Sequence, residues 1–233
     1  MPTQRVVSLL PSSTEIVCSL GCENRLVGRS HECDYPKSVR QLPSCTAPKF
    51  DPDGTSYAID QRVKAILQEA VSVYRVDADL LNSLAPDVIV TQAQCEVCAV
   101  NLQDVQEAMG QLLSSNPAIV SLEPKKVEDV WHDIETVAHA LGILDLGREV
   151  AESLRKRVGC LAASIGSQVR RPVVACIEWF DPIMAAGNWM PQLVELAGGK
   201  NLFATAGKHS PRLKWRDLAG YDPEIILLMP CGF

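Results

Sequence analysis

DADLLNSLAPDVIVTQ, residues 77–92, and KWRDLAGYDPEIILLMP, residues 214–230, read as two versions of one unit. In each, a short leucine-bearing helix meets Pro-Asp or Pro-Glu, and the chain then enters an unbroken apolar run. Such a run, bounded by turn residues, predicts a buried strand: Val88–Thr91 in the first copy and Glu224–Met229 in the second. Working outward, each copy is preceded by a strand and a helix that ends at glycine. Arg5–Leu10 is a strand, and Ser12 or Ser13 is placed to cap a helix through Ile16, Val17 and Leu20 that stops at Gly21. Pro172–Glu178 is a strand, and Gln192–Ala197 a helix closed by Gly198 and Gly199. Strands alternating with helices predict an α/β fold with parallel sheets.

The remaining elements fill in two halves. Leu26–Arg29 and Ala118–Leu122 read as strands, and Ile59–Ala70, Asp77–Leu84, Leu102–Leu113 and Trp215–Leu218 as helices. Glu32–Gly54 and Trp179–Pro191 read as loops. Val127–Ser164 is helical throughout, with a break expected at Gly142 because glycine costs about 1 kcal/mol against alanine inside a helix. The expected organisation is an N-terminal α/β lobe over 1–125, a helical region with a connecting helix over 126–168, and a C-terminal α/β lobe over 169–233. Two similar lobes joined by one long helix would face each other across a cleft, a favoured place for ligands.

Composition narrows the function. The 233 residues are 47% hydrophobic and 21% charged with a net charge of −6, which suits a well-packed core and offers no basic face for nucleic acid. No apolar run is long enough to span a membrane. A core strand beginning four residues after Met1 leaves no room for a secretory signal, so a cytoplasmic protein is expected, or a periplasmic one if an upstream exporting segment precedes Met1. Nine cysteines in a cytoplasmic setting point to buried thiols, metal ligands or redox groups rather than disulfides.

Three constellations could carry chemistry. Trp179, Phe180, Asn188 and Trp189 lie after a strand end, where open α/β sheets bind ligands, and offer flat surface and an orienting amide for a large ring system. Ser12, Ser13 and Thr14 stand at a helix start, where free N–H groups and hydroxyls cap the helix and bind anions. His31, Cys33, Cys95 and Cys98 form a thiol-rich set in two loops that follow neighbouring strands. Those donors suit zinc or an iron–sulfur cluster, and Cys95-Glu96-Val97-Cys98 alone suits a redox pair; free, partly buried thiols are the plain alternative. His209 is a weaker candidate for touching a ligand. No combination of nucleophile, base and oxyanion site stands out, so an enzyme is not expected.

LLPSSTEI (residues 9–16), SHECDYP (30–36), LAPDVIVTQ (84–92) and LVELAGGKNLF (193–203) together resemble the vitamin B12-binding and ferric-siderophore-type substrate-binding proteins of ABC transporters, a family with a helical backbone between two α/β lobes. The resemblance covers nearly the whole chain, with an apparent insertion over 46–72. It implies a monomer that holds cobalamin or a related metal chelate as ligand and delivers it to an ABC permease. It also implies ligand contacts from Ser12, Ser13 and Thr14, from Glu32 and Tyr35, from Gln92, and from Trp179, Phe180, Asn188 and Trp189. Glu96 and Glu195 fall near the positions that dock to the permease. It further implies strands and a closing helix beyond Phe233, so the second lobe is expected to be incomplete. The alternative function is a cytoplasmic metal or iron–sulfur protein using His31, Cys33, Cys95 and Cys98 on the same scaffold.

Overall fold

The computed structural model describes residues 3–69, 72–93, 103–106, 116–165 and 170–230. The chain divides into two compact units: residues 1–51, 63–123 and 132–151 form the first, and residues 52–62, 124–131 and 152–233 the second.

The first unit is built on β1 (Val6–Ser8), β2 (Leu26–Arg29), β5 (Val88–Gln92) and β6 (Ala118–Leu122), in the order β2-β1-β5-β6 and all parallel. Every residue of β1 and β5 is buried, as an apolar run covered on both faces requires. Val7, Leu9, Cys45, Val73, Tyr74, Leu81 and Ile89 close into one core. The chain leaves β1 through helix α1 (Pro11–Ser19) to β2 on one side and returns to β5 on the other. The carboxyl ends of β1 and β5 are therefore the switch point, the place where open α/β sheets take ligands.

Two expectations change here. α1 starts at Pro11 with Leu10 as its cap and no side-chain capping bond, so Ser12 and Ser13 lie inside the first turn rather than capping it. Proline sets the first helical position because its fixed φ and missing N–H suit that place. The 32–54 segment is also more than loop. It holds a 3₁₀ turn at Lys37–Gln41 and a strand β3 (Thr46–Pro48), paired antiparallel with β4 (Tyr74–Val76). Strands of three residues are too short to show an alternating pattern in sequence. α2 (Ser56–Gln68) and α3 (Ala78–Leu84) lie close to their expected positions. Asp77 caps α3 by accepting a hydrogen bond from the Leu80 N–H at 2.9 Å. The helix read over 102–113 is helical at 103–106; its other residues lie outside the described ones.

The helical region consists of α4 (Val127–Ala140) and α5 (Leu144–Ile165), broken as expected at Gly142, which lies between them at φ +71°. A left-handed residue ends a helix, and glycine takes that conformation without strain. At the start of α5, Gly147 packs against α4 so closely that a Cβ there would overlap Ala138 Cβ.

The second unit centres on β7 (Val173–Phe180). β10 (Ile225–Leu228) and β9 (Lys200–Asn201) run parallel to it, and β8 (Ile183–Ala185) runs antiparallel, so this sheet is mixed where a parallel one was expected. Val174 and Cys176 point to one face with Ala186 and Val194, below α6 (Met190–Leu196). Ala175 and Ile177 point to the other with Ile183 and Leu218, the latter from α7 (Trp215–Tyr221). The loop read over 179–191 is a β7–β8 hairpin, followed by α6. Ile225–Leu228, expected to be buried, is exposed along its length, Leu228 by 65%; among the described residues β10 is an edge strand paired with β7. The repeated unit nonetheless keeps its geometry: Ala85 and Asp222, each preceding the proline, both end their helices at φ +42° and +43°.

The two helical glycines of α5 should respond in opposite directions. Gly147→Ala is expected to lower stability by about 1–3 kcal/mol through overpacking against α4. Gly159→Ala, in open space on the same helix, should raise it by about 0.5–1 kcal/mol. Urea unfolding of both variants checks this, and a Gly147→Ala protein as stable as the parent would contradict the packing.

Candidate functional site

In the first unit the carboxyl end of β1 opens onto a buried polar cluster. Ser8 Oγ donates to the Leu10 carbonyl at 3.2 Å, Ser13 Oγ donates to the same carbonyl at 3.0 Å, and Thr14 Oγ1 donates to Ser8 Oγ at 2.7 Å. Thr14 Oγ1 also lies 3.1 Å from Cys33 Sγ. All four side chains are shielded from solvent. Ser13 and Thr14, expected to meet the ligand, are buried, and their hydroxyls fasten α1 to β1 and to the loop after β2. Ser12 is the exposed member of the three.

The loop after β2 is held from both sides. Arg29 donates to the Ser30 carbonyl at 2.8 Å and the His31 carbonyl at 3.3 Å. The His31 ring bonds through Nδ1 to Thr46 Oγ1 at 2.7 Å and packs on Tyr74 with ring centres 5.4 Å apart. Burial, helped by the nearby Arg29 charge, lowers the His31 pKa. Glu32 is largely withdrawn from water, and this burial pushes its carboxyl up to about 7. Tyr35 is 64% exposed. Gln92, at the end of β5, is buried.

Of the expected thiol set, His31 and Cys33 are among the described residues. Among the described residues no group of three or more His, Cys, Asp or Glu side chains could hold an ion. Cys33 sits in the buried cluster with its pKa raised by desolvation, which disfavours the thiolate that a metal needs. Burial likewise pushes Cys18 up to about 11 and Cys45 up to about 12. Cys95, Glu96 and Cys98 lie outside the described residues.

In the second unit Trp179 and Phe180 end β7, and Asn188 and Trp189 lead into α6; all four are partly exposed. The Trp179 indole N–H donates to the Asp181 carbonyl at 3.1 Å, which fixes the ring. Asn188 takes φ +51°, and its backbone bonds to Lys208 and Gly207 in the facing loop. Glu195 is exposed on α6.

One residue escaped the sequence reading. Glu178 follows the apolar stretch Val173–Ile177, and an acid there was the available signal. The register against β8 shifts between Ile177 and Trp179, so Glu178 is the extra residue of a β-bulge. Its carboxyl accepts a hydrogen bond from Ser210, and burial raises its pKa.

The profile of the family described as "Periplasmic binding protein" matches residues 6–232. The chain belongs to that family. As a member it is a substrate-binding protein and not an enzyme. The expectation of a cytoplasmic protein is corrected by the same match, because this is a family of periplasmic proteins; a strand close to Met1 is a statement about the fold and carries no information on export. Among curated relatives, a vitamin B12-binding protein of Vibrio cholerae is 21% identical over 97% of this chain and 70% of its own length. Among solved structures, the periplasmic vitamin B12-binding protein BtuF of Vibrio cholerae is 20% identical with a TM-score of 0.68, over 97% of this chain and 76% of that one. The periplasmic haem-binding protein RhuT of Roseiflexus sp. RS-1 gives the same identity, TM-score and coverage. Among the described residues no helix is long and apolar enough to cross a membrane.

Glu32 makes the site's electrostatics measurable. The unfolded chain ionises this carboxyl in the ordinary range, whereas the folded chain holds the proton to about pH 7. Stability is therefore expected to fall as pH rises from the ordinary carboxylate range through about 7. Glu32→Gln should flatten that part of the curve and raise stability at pH 8 relative to the parent. Urea midpoints at pH 5 and pH 8 for both proteins decide it, and an unchanged pH slope in the variant would refute the burial argument.

Proposed function

We propose that this chain binds a corrinoid, cobalamin or a close relative, and hands it to an ABC permease. The observation that carries the reading is the aromatic group at the carboxyl end of β7: Trp179 and Phe180 on the strand and Trp189 at the start of α6, each with surface left open. Flat, polarisable rings suit the face of a tetrapyrrole-like macrocycle. The vitamin B12-binding relatives in Vibrio cholerae support the corrinoid among the possible chelates.

Trp179, Phe180 and Trp189 supply apolar contact, and Asn188, fixed in its left-handed turn, supplies an orienting amide. In the first unit Ser12, Glu32, Tyr35 and Gln92 are the polar contacts, at the switch point and the loop beside it. Fixing the loop through Arg29, Thr46 and the Thr14 cluster reduces the ordering cost at binding. Glu195, exposed on α6, is the docking carboxylate toward the permease, with Glu96 as its counterpart in the first unit.

Absorption spectra and tryptophan fluorescence during titration with cyanocobalamin test this directly. The parent chain is expected to bind one corrinoid. Trp179→Ala and Trp189→Ala should each weaken binding about 10–100-fold, the loss of one aromatic contact of about 1.5–3 kcal/mol. Cys95→Ser should leave affinity unchanged. A parent chain that ignores cobalamin and takes up haem would replace this ligand with a porphyrin.

A further inference from the structure

Glu178 lies partly buried near the end of β7, next in sequence to Trp179 and Phe180. Three observations bear on it. The bulge between Ile177 and Trp179 sets two residues of β7 against one of β8, and such an insertion turns a side chain out of the regular alternation. Without the bulge, Glu178 would continue the row Val174, Cys176 into the apolar face below α6.

The carboxyl is also held in position. Ser210 Oγ accepts the Gly187 N–H at 3.0 Å, which leaves the Ser210 hydroxyl proton for Glu178. The segment carrying Ser210 packs tightly on the turn after β8. A Cβ on Gly187 would lie 2.6 Å from both the Lys208 carbonyl oxygen and the Ser210 nitrogen, and Ala185 N–H donates to the Pro211 carbonyl at 3.0 Å. Burial raises the Glu178 pKa, and the Ser210 bond and the nearby His209 act against that shift. One hydroxyl donor cannot occupy the acceptor sites of a carboxylate, which number about four.

We propose that Glu178 is a specificity determinant: its bulge-directed carboxylate accepts hydrogen bonds from amide N–H groups on the rim of the bound macrocycle and repels a rim of carboxylates. This rests on the corrinoid reading above and adds to it the peripheral chemistry that is selected. An ionised acceptor in a partly desolvated site strengthens bonds to amide donors and makes an approaching carboxylate unfavourable. An amide-bearing corrin satisfies the site, whereas a ring edged with carboxylates does not.

The test compares ligands that share one ring. Dicyanocobinamide carries rim amides, and dicyanocobyrinic acid carries carboxylates in their place. Affinities of both for the parent chain and for Glu178→Gln are measured by tryptophan quenching, with thermal melts to confirm folding. Glutamine keeps the shape and one acceptor oxygen for Ser210. The expected result is about a tenfold loss for the amide ligand, the difference between a charged and a neutral acceptor, together with a gain for the carboxylate ligand. A structural residue would shift both ligands alike, so equal changes, or none, overturn the proposal while leaving the corrinoid reading standing. A parent chain that binds neither corrin overturns both. Ser210→Ala adds a second check: it should weaken the amide ligand in the parent and have less effect in the Glu178→Gln background, and strictly additive effects count against the Ser210–Glu178 link.

Discussion

β1 is hydrogen-bonded along both edges, to β2 and to β5, and its carboxyl end delivers the Ser8 hydroxyl into a space closed to water. A polar group in such a place must find partners or cost stability. Ser13, Thr14 and the Leu10 carbonyl supply them, and Cys33 extends the cluster to the loop after β2. Much of the first unit's rim depends on this satisfaction. The start of α1, the 30–33 loop and, through Thr46, the β3–β4 pair are fixed relative to the strand ends where a ligand would be met. The hydroxyls that look like ligand contacts in sequence are thus the internal frame of the site.

The second unit solves a related problem by different means. Its central strand carries apolar residues to both faces until Ile177, and the rim needs polar and aromatic groups immediately afterwards. The bulge makes the change within one residue, and the hairpin to β8 turns the chain at the aromatics, with Phe180 packed against the core of Ile177, Ile183 and Leu218. Gly187 then allows the 208–210 backbone to approach at a distance no side chain would permit. Rigid backbone close to a partly exposed aromatic group is the arrangement expected of a protein that binds a preformed, rigid ligand with little rearrangement.

Burial also explains why the many cysteines do not announce redox or metal chemistry among the described residues. Cys33 and Cys45 are shielded, and Cys18 and Cys176 are desolvated enough that their pKa values rise as well. Thiols in such surroundings behave as small apolar side chains. The same desolvation raises the pKa values of Glu32 and Glu178.

The sequence by itself determined the α/β class, the positions of β2, β6, α2 and α3, the break at Gly142, and the family to which the chain belongs. Those features are local: an apolar run, a capping aspartate or a glycine is read within a few residues. The repeated helix–proline–strand unit also survived, since Ala85 and Asp222 take the same left-handed turn. Only the tertiary structure decided that β3 pairs with β4, that the 179–191 segment turns back as a hairpin, and that Ile225–Leu228 lies exposed at a sheet edge. It alone moved Ser13 and Thr14 from the candidate ligand surface into the interior and brought Glu178 to Ser210. The physical reason is common to all of these. Pairing, burial and hydrogen-bond satisfaction depend on which groups the fold brings together, and no local pattern records which group will complete a strand edge or a buried hydroxyl.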